Sequence, residues 1–160
     1  MPIEWSFIIS SESTLEKTIL SIDKYDLDAD LLPFYNGENI AFFKKNVYTN
    51  IEDLNTNIVN KQQIFSRQVI NENMFGKLTL LPNGDLYANV NKACLGNVLH
   101  KSLNEIIYKE KNMKDAWFMT RSQTPCKQCV YCLLCPSVSN YELVLGKFDL
   151  CSIREGYLEK

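Results

Sequence analysis

Six cysteines supply the most concentrated chemistry in this sequence, and they are unevenly placed: residues 1–93 hold none, while Cys94, Cys126, Cys129, Cys132, Cys135 and Cys151 follow. From Thr124 the chain reads Thr-Pro-Cys126-Lys-Gln-Cys129-Val-Tyr-Cys132-Leu-Leu-Cys135-Pro136-Ser137, four thiols within ten residues. Thiolates three apart in a loop can converge on one soft metal centre, whereas loops this tight resist strain-free disulfides. Zinc and iron–sulfur centres both accept four thiolates, so composition leaves the metal open. The only histidine, His100, lacks neighbouring ligand types and reads as a surface or helix-cap residue. Asp26, Asp28 and Asp30 lack the glycine and the bidentate glutamate of a calcium loop and read as a solvated turn. No catalytic triad, phosphate loop or metal box occurs in residues 1–70.

The elements that must position these thiols have to fit in 160 residues, too few for a complete eight-fold β/α barrel of about 250. Apolar residues at 46% and charged residues at 22% are enough for a core and argue against wholesale disorder. A net charge of −2, from 17 Lys+Arg against 19 Asp+Glu, provides no basic field for nucleic acid or an anionic membrane. No apolar run approaches the roughly 20 residues of a membrane span, and Met1-Pro2-Ile3-Glu4-Trp5 lacks the basic start of a signal peptide. A cytoplasmic location is expected, where reducing conditions favour metal-bound over disulfide-bonded cysteines.

The first region alternates strand and helix signals. Trp5 to Ile9 reads as a strand, and Ser13-x-x-Glu16, with Leu15, Ile19 and Ile22 at helical spacing, opens a helix. Leu31 to Tyr35 reads as a second strand before Asn36-Gly37, and Thr49-x-x-Glu52 with Ile51, Leu54 and Ile58 marks a second helix. A β-α-β-α order suggests parallel pairing with right-handed crossovers. In the second region, Lys77–Leu81 and Asp85–Val90 flank Pro82-Asn83-Gly84, a strong hairpin signal, and Ser102-x-x-Glu105 opens a helix to about Lys111. The expected fold is therefore α+β, with a partial, truncated barrel-like β/α region over 1–70 and a hairpin, a helix and cysteine-rich metal-binding loops over 71–160.

Several phrases resemble a known module. Phe75-Gly76-Lys77-Leu78-Thr79, Pro82-Asn83-Gly84-Asp85-Leu86-Tyr87, Leu95-Gly96-Asn97-Val98 and Cys126-x2-Cys129-x5-Cys135 with Cys151 are similar to the SPASM domain. That domain is the C-terminal auxiliary iron–sulfur module of radical S-adenosylmethionine (radical SAM) peptide-modifying enzymes. Ala88-Asn89-Val90-Asn91, Cys135-Pro136-Ser137-x-Ser139-Asn140-Tyr141-Glu142 and Asp149-Leu150-Cys151 resemble the SPASM peptide maturases of grasp-with-spasm systems. The stretches Pro33–Ile40 and Phe42–Tyr48 resemble the passage from that family's partial barrel into its SPASM module. The resemblance thus covers nearly the whole chain and makes it the C-terminal part of the expected enzyme.

By the resemblance, Cys126, Cys129, Cys135 and Cys151 bind one [4Fe–4S] cluster. The next family cysteine is missing, since Ser137-Val138-Ser139 stands in its place, and the hairpin cysteines are largely absent, which leaves one cluster at most. No Cys-x3-Cys occurs, so the radical-forming Cys-x3-Cys-x2-Cys loop is absent and the chain is not catalytically complete alone. Cys132 is the alternative ligand, because Cys126, Cys129 and Cys132 with Cys135-Pro136 also resemble a ferredoxin run, one residue short before the last cysteine. Cys94 reads as a partly buried free thiol.

The implied role is structural and electron-transferring, with no catalytic residue in this chain. The implied partners are a ribosomal precursor peptide (a RiPP substrate), an ATP-grasp ligase and, where the chain is one half of a split enzyme and not a fragment, the missing radical SAM half. Trp117, Phe118, Arg121, Tyr131 and Tyr141 surround the cysteines in sequence and read as core more than as a peptide surface. The competing classes are a non-enzymatic four-cysteine zinc-binding interaction module and a free-standing ferredoxin-like carrier.

Overall fold

The computed structural model describes residues 4–123 and 125–153, an α+β chain whose two compact units are taken in turn. Unit 1 comprises the chain up to Ile51 together with the residues from Leu150 onward; unit 2 comprises Glu52–Asp149. The boundary expected near residue 70 falls inside unit 2. No helix among the described residues is long and apolar enough to cross a membrane.

Unit 1 opens with β1 (Trp5–Ile9), α1 (Glu12–Tyr25) and β2 (Ala29–Pro33). The two strands pair in parallel from Trp5 opposite Ala29 to Ile9 opposite Pro33, two residues earlier in the second strand than expected. Pro33 has no N–H to donate, and the chain closes the pairing through the Phe34 N–H, which donates to the Ile9 carbonyl at 2.7 Å. Helix α1 is capped by Ser11, whose hydroxyl accepts the Thr14 N–H, and not by the expected Ser13. Ser11 is the extended residue between strand and helix, so only its side chain points back at the free donors; Ser13 already lies within the helix.

A short helix that the sequence reading missed, α2 (Ile40–Asn46), carries the buried Phe42 and Phe43. It is set by an Asx turn in which the Asn36 side-chain oxygen accepts the Glu38 and Asn39 N–H groups. Phe43 packs edge-on to Tyr35, with ring centres 5.4 Å apart, and joins Ile9, Phe42, Tyr48, Leu150 and Ile153 among the enclosed side chains. Thr49 does not open a helix. Its N–H donates to the Leu150 carbonyl and its carbonyl accepts the Ser152 N–H, a parallel bridge to Cys151, and α3 (Ile51–Thr56) begins two residues later. Ile58 lies beyond the end of α3 and is exposed.

In unit 2, α4 (Lys61–Val69) starts at an Asn60/Gln63 capping box that the sequence reading did not use. Strands β3 (Thr79–Leu80), β4 (Asp85–Tyr87) and β5 (Gly96–Asn97) form an antiparallel sheet in that order. Gly84 has φ +88°, and a Cβ there would come within 2.9 Å of the Asn97 side chain, which itself donates to the Asn83 carbonyl and Asp85. Strand β4 ends earlier than expected because the Asn89 side-chain oxygen accepts the Asn91 N–H and turns the chain away. Helix α5 (Leu103–Met113) has the expected Ser102/Glu105 box, which holds the Glu105 carboxyl below its ordinary value. Ile106 on its apolar face packs with Met74, Leu86, Ala88, Leu95, Ala116 and Trp117. Trp117 satisfies its indole N–H on the Lys77 carbonyl at 2.9 Å.

Candidate metal centre

Between α5 and α6 (Asn140–Leu145) the backbone forms tight turns rather than regular elements. A 3₁₀ turn at Arg121–Gln123 is followed by another at Pro125–Gln128, where proline supplies the φ that the first position of a turn requires. The Cys129 N–H then donates to the Cys126 carbonyl at 2.8 Å, and the Cys132 N–H to the Cys129 carbonyl at 3.1 Å. Two successive three-residue turns therefore separate Cys126, Cys129 and Cys132. The period breaks before Cys135, whose N–H reaches back four residues to the Tyr131 carbonyl.

The far end of this loop is held by side chains instead of a ladder. Arg67 of α4 donates to the carbonyls of Leu133, Leu134 and Cys135, while Glu72 binds its Nε at 2.7 Å. Arg121 Nε takes the Pro136 carbonyl at 2.7 Å. Asn73 takes that of Ser137, and Asn71 and Asn73 share that of Val138. Six consecutive carbonyls, residues 133–138, thus accept hydrogen bonds from four side chains, which is how an irregular, partly buried segment avoids unpaired polar groups. Burial works against the Glu72 charge, but the Ser66 hydroxyl and Arg67 outweigh it and keep that carboxyl below its ordinary value.

Cys126 and Cys135 are buried, and Cys126 donates its thiol to the Phe148 carbonyl at 3.5 Å. Cys129 and Cys132 are half-buried and line an open cavity of about 370 Å³, together with Gln68, Ser122 and Lys127. Burial, then the Cys126 and Cys129 thiols, pushes the Cys132 thiol up, with Arg121 partly offsetting them. Cys151 belongs to unit 1, at the bridge to Thr49. Cys94 donates weakly to the Leu86 and Gly96 carbonyls, and His100 is exposed.

The donor chemistry of the loop fits a soft metal: four thiols on one short, turn-built segment, with no competing carboxylate among them. Among the described residues, no three His, Cys, Asp or Glu side chains are grouped as a bound ion would hold them. The segment after Cys135 carries a helix that the sequence reading did not mark: α6, capped by Ser139 and Glu142 and ended by Gly146 at φ +63°, after which Phe148 lies against Arg121 and Cys126. Ser139-x-x-Glu142 is a capping box legible in the sequence, so α6 was findable. Arg67, Asn71 and Asn73 gave no such signal, because each acts on backbone more than sixty residues away or on a loop with no periodicity. Trp117 belongs to the core, edge-on to Phe75 at 5.7 Å. Compared with protein-family models, curated proteins and solved structures, the chain matches none.

Proposed function

We propose that this chain is an auxiliary SPASM-type module of a peptide-modifying radical SAM maturase, binding one [4Fe–4S] cluster and acting on a ribosomal precursor peptide. The observation that carries the reading is the three-residue repeat of turns from Cys126 to Cys132, closed by Cys135. Thiols three apart on successive turns can reach one soft centre, and the choice of a cluster over zinc rests on the resemblance. By the resemblance Cys126, Cys129, Cys135 and Cys151 are the ligands, with Cys132 as the alternative. When bound, such a cluster supplies one-electron transfer without an open iron site.

The residues of the chain then have definable tasks. Arg67, Asn71, Asn73 and Arg121 hold the backbone around Cys135, so that its thiol is presented from a fixed frame. The cavity beside Cys129 and Cys132 leaves a path by which iron and sulfide reach the loop. Radical generation falls to a Cys-x3-Cys-x2-Cys loop outside this sequence, either in the N-terminal half of the same enzyme or in a partner. Anaerobic purification tests the reading. A brown protein with broad visible absorption and bound iron and sulfide supports it; a colourless protein with one zinc supports the interaction module instead. The isolated chain, cluster restored and reductant supplied, should form no 5′-deoxyadenosine from S-adenosylmethionine above a protein-free control.

A further inference from the structure

Arg121 and Glu142 form a nearly enclosed ion pair, with side chains 10% and 1% exposed. The contact is bidentate, Nη1 to Oε1 at 2.7 Å and Nη2 to Oε2 at 3.1 Å. The same guanidinium donates through Nε to the Pro136 carbonyl, next to Cys135, and through Nη1 to the Phe148 carbonyl at 3.2 Å. Phe148 is also where the Cys126 thiol donates, so one cation lies against the surroundings of two cysteines that are nine residues apart in sequence. A buried ion pair adds little stability over an apolar pair of the same size, so its place beside the thiols asks for another reason.

We infer that Arg121 and Glu142 are a matched positioning pair that sets the charge felt by the metal–thiolate centre, the guanidinium favouring its negative charge and the carboxylate limiting that pull. The inference rests on the metal-centre reading above. Four thiolates around Zn²⁺, Cd²⁺ or an oxidised [4Fe–4S] cluster carry a net charge of −2, and one added electron makes the cluster more negative. A fixed cation nearby therefore tightens metal binding and raises the reduction potential.

The test uses the full chain, purified anaerobically, as wild type and as Arg121→Gln, Arg121→Lys and Glu142→Gln. Cd²⁺ affinity by chelator competition and, after reconstitution with iron and sulfide, the midpoint potential are measured at one pH. Arg121→Gln should weaken Cd²⁺ binding, on the order of tenfold, and lower the potential; Glu142→Gln should strengthen binding and raise it; Arg121→Lys, which keeps the charge but loses the fork, should lie between wild type and Arg121→Gln. Opposite signs for the two halves of the pair support the inference, because a purely structural pair would weaken the site from either side. Shifts of the same sign, or none, overturn it. Should Arg121→Gln fail to fold, the sign given by Glu142→Gln against wild type decides. A wild type that binds Cd²⁺ through four thiolates but takes up no cluster overturns the iron–sulfur reading alone, and the affinities still judge the pair. A wild type that binds neither overturns both.

Discussion

In unit 1 the enclosed side chains are apolar or aromatic, Ile9, Phe42, Phe43, Tyr48, Leu150 and Ile153, whereas unit 2 also encloses Asn71, Asn89, Glu110, Thr120, Ser137 and Glu142. Unit 1 leaves α1 with no buried residue and exposes Ile8 by 67% and Leu20 by 69%. Unit 2 closes a larger apolar cluster and then adds polar clamps on segments that have no ladder of their own. A parallel two-stranded sheet is marginal by itself, since parallel sheets are normally covered on both faces. The difference teaches that the unit carrying Cys94 to Cys135 is defined by directional bonds, and the strand–helix unit by a few aromatic contacts.

The comparison can be broken most severely at the thiols. Replacing Cys126, Cys129, Cys135 or Cys151 by Ser should abolish stable metal binding and loosen the cysteine module, since structural metal supplies on the order of 10 kcal/mol of folding energy. Cys132→Ser and Cys94→Ser should leave metal content nearly unchanged. Full loss with Cys132→Ser and none with Cys151→Ser would move the ligand set to Cys126, Cys129, Cys132 and Cys135.

Next in size is the contrast between the two means of enclosure. Phe43→Ala should cost unit 1 about 3 to 5 kcal/mol, and Asn71→Ala should cost unit 2 about 1 to 3 kcal/mol by leaving the Met119 and Val138 carbonyls short of a donor. Each unit has one of the two tryptophans, Trp5 and Trp117, so fluorescence of a Trp5→Phe variant reports unit 2 alone. Asn71→Ala should lower the Trp117 transition. An unchanged transition would mean that the asparagine clamps do not contribute.

A smaller effect sharpens the account of unit 1. Ile8→Lys with Leu20→Lys should change folding stability by no more than about 0.5 kcal/mol each, yet raise the concentration at which the chain stays monomeric in sedimentation. Strong self-association that persists in this variant would show that the exposed apolar residues are not its cause.

The smallest is a pH signature of unit 2. The Glu72 carboxyl is lowered, so its contribution is present above the ordinary carboxylate value and lost as pH falls through its depressed value. Burial raises Glu110, despite the Trp117 and Ala116 N–H donors, so its contribution runs the other way and is lost as pH rises through the raised value. Glu72→Gln should make the acid limb of a stability profile shallower, and Glu110→Gln should flatten the decline above the ordinary carboxylate range, each by no more than about 1 kcal/mol. Identical limbs in both variants would remove these two groups from the acid response.

The local chemistry of the sequence determined a good deal by itself: the α+β character, the Ser102/Glu105 start of α5, the Asn83-Gly84 turn between strands that pair antiparallel, and the concentration of thiols on one short loop. These depend on neighbours within about four residues, where capping, turn dihedrals and spacing act directly. The start of α1 moved from Ser13 to Ser11 because the exit of a strand, and not the box pattern alone, chose which hydroxyl faced the free N–H groups. Thr49 took part in a bridge to a residue about a hundred positions away instead of capping a helix. Only tertiary structure decided that Arg67 and Arg121 take the carbonyls around Cys135, and that Glu142 both caps α6 and anchors a cation. Such bonds join groups remote in sequence and without period, and their partners are named only once the chain has closed around them.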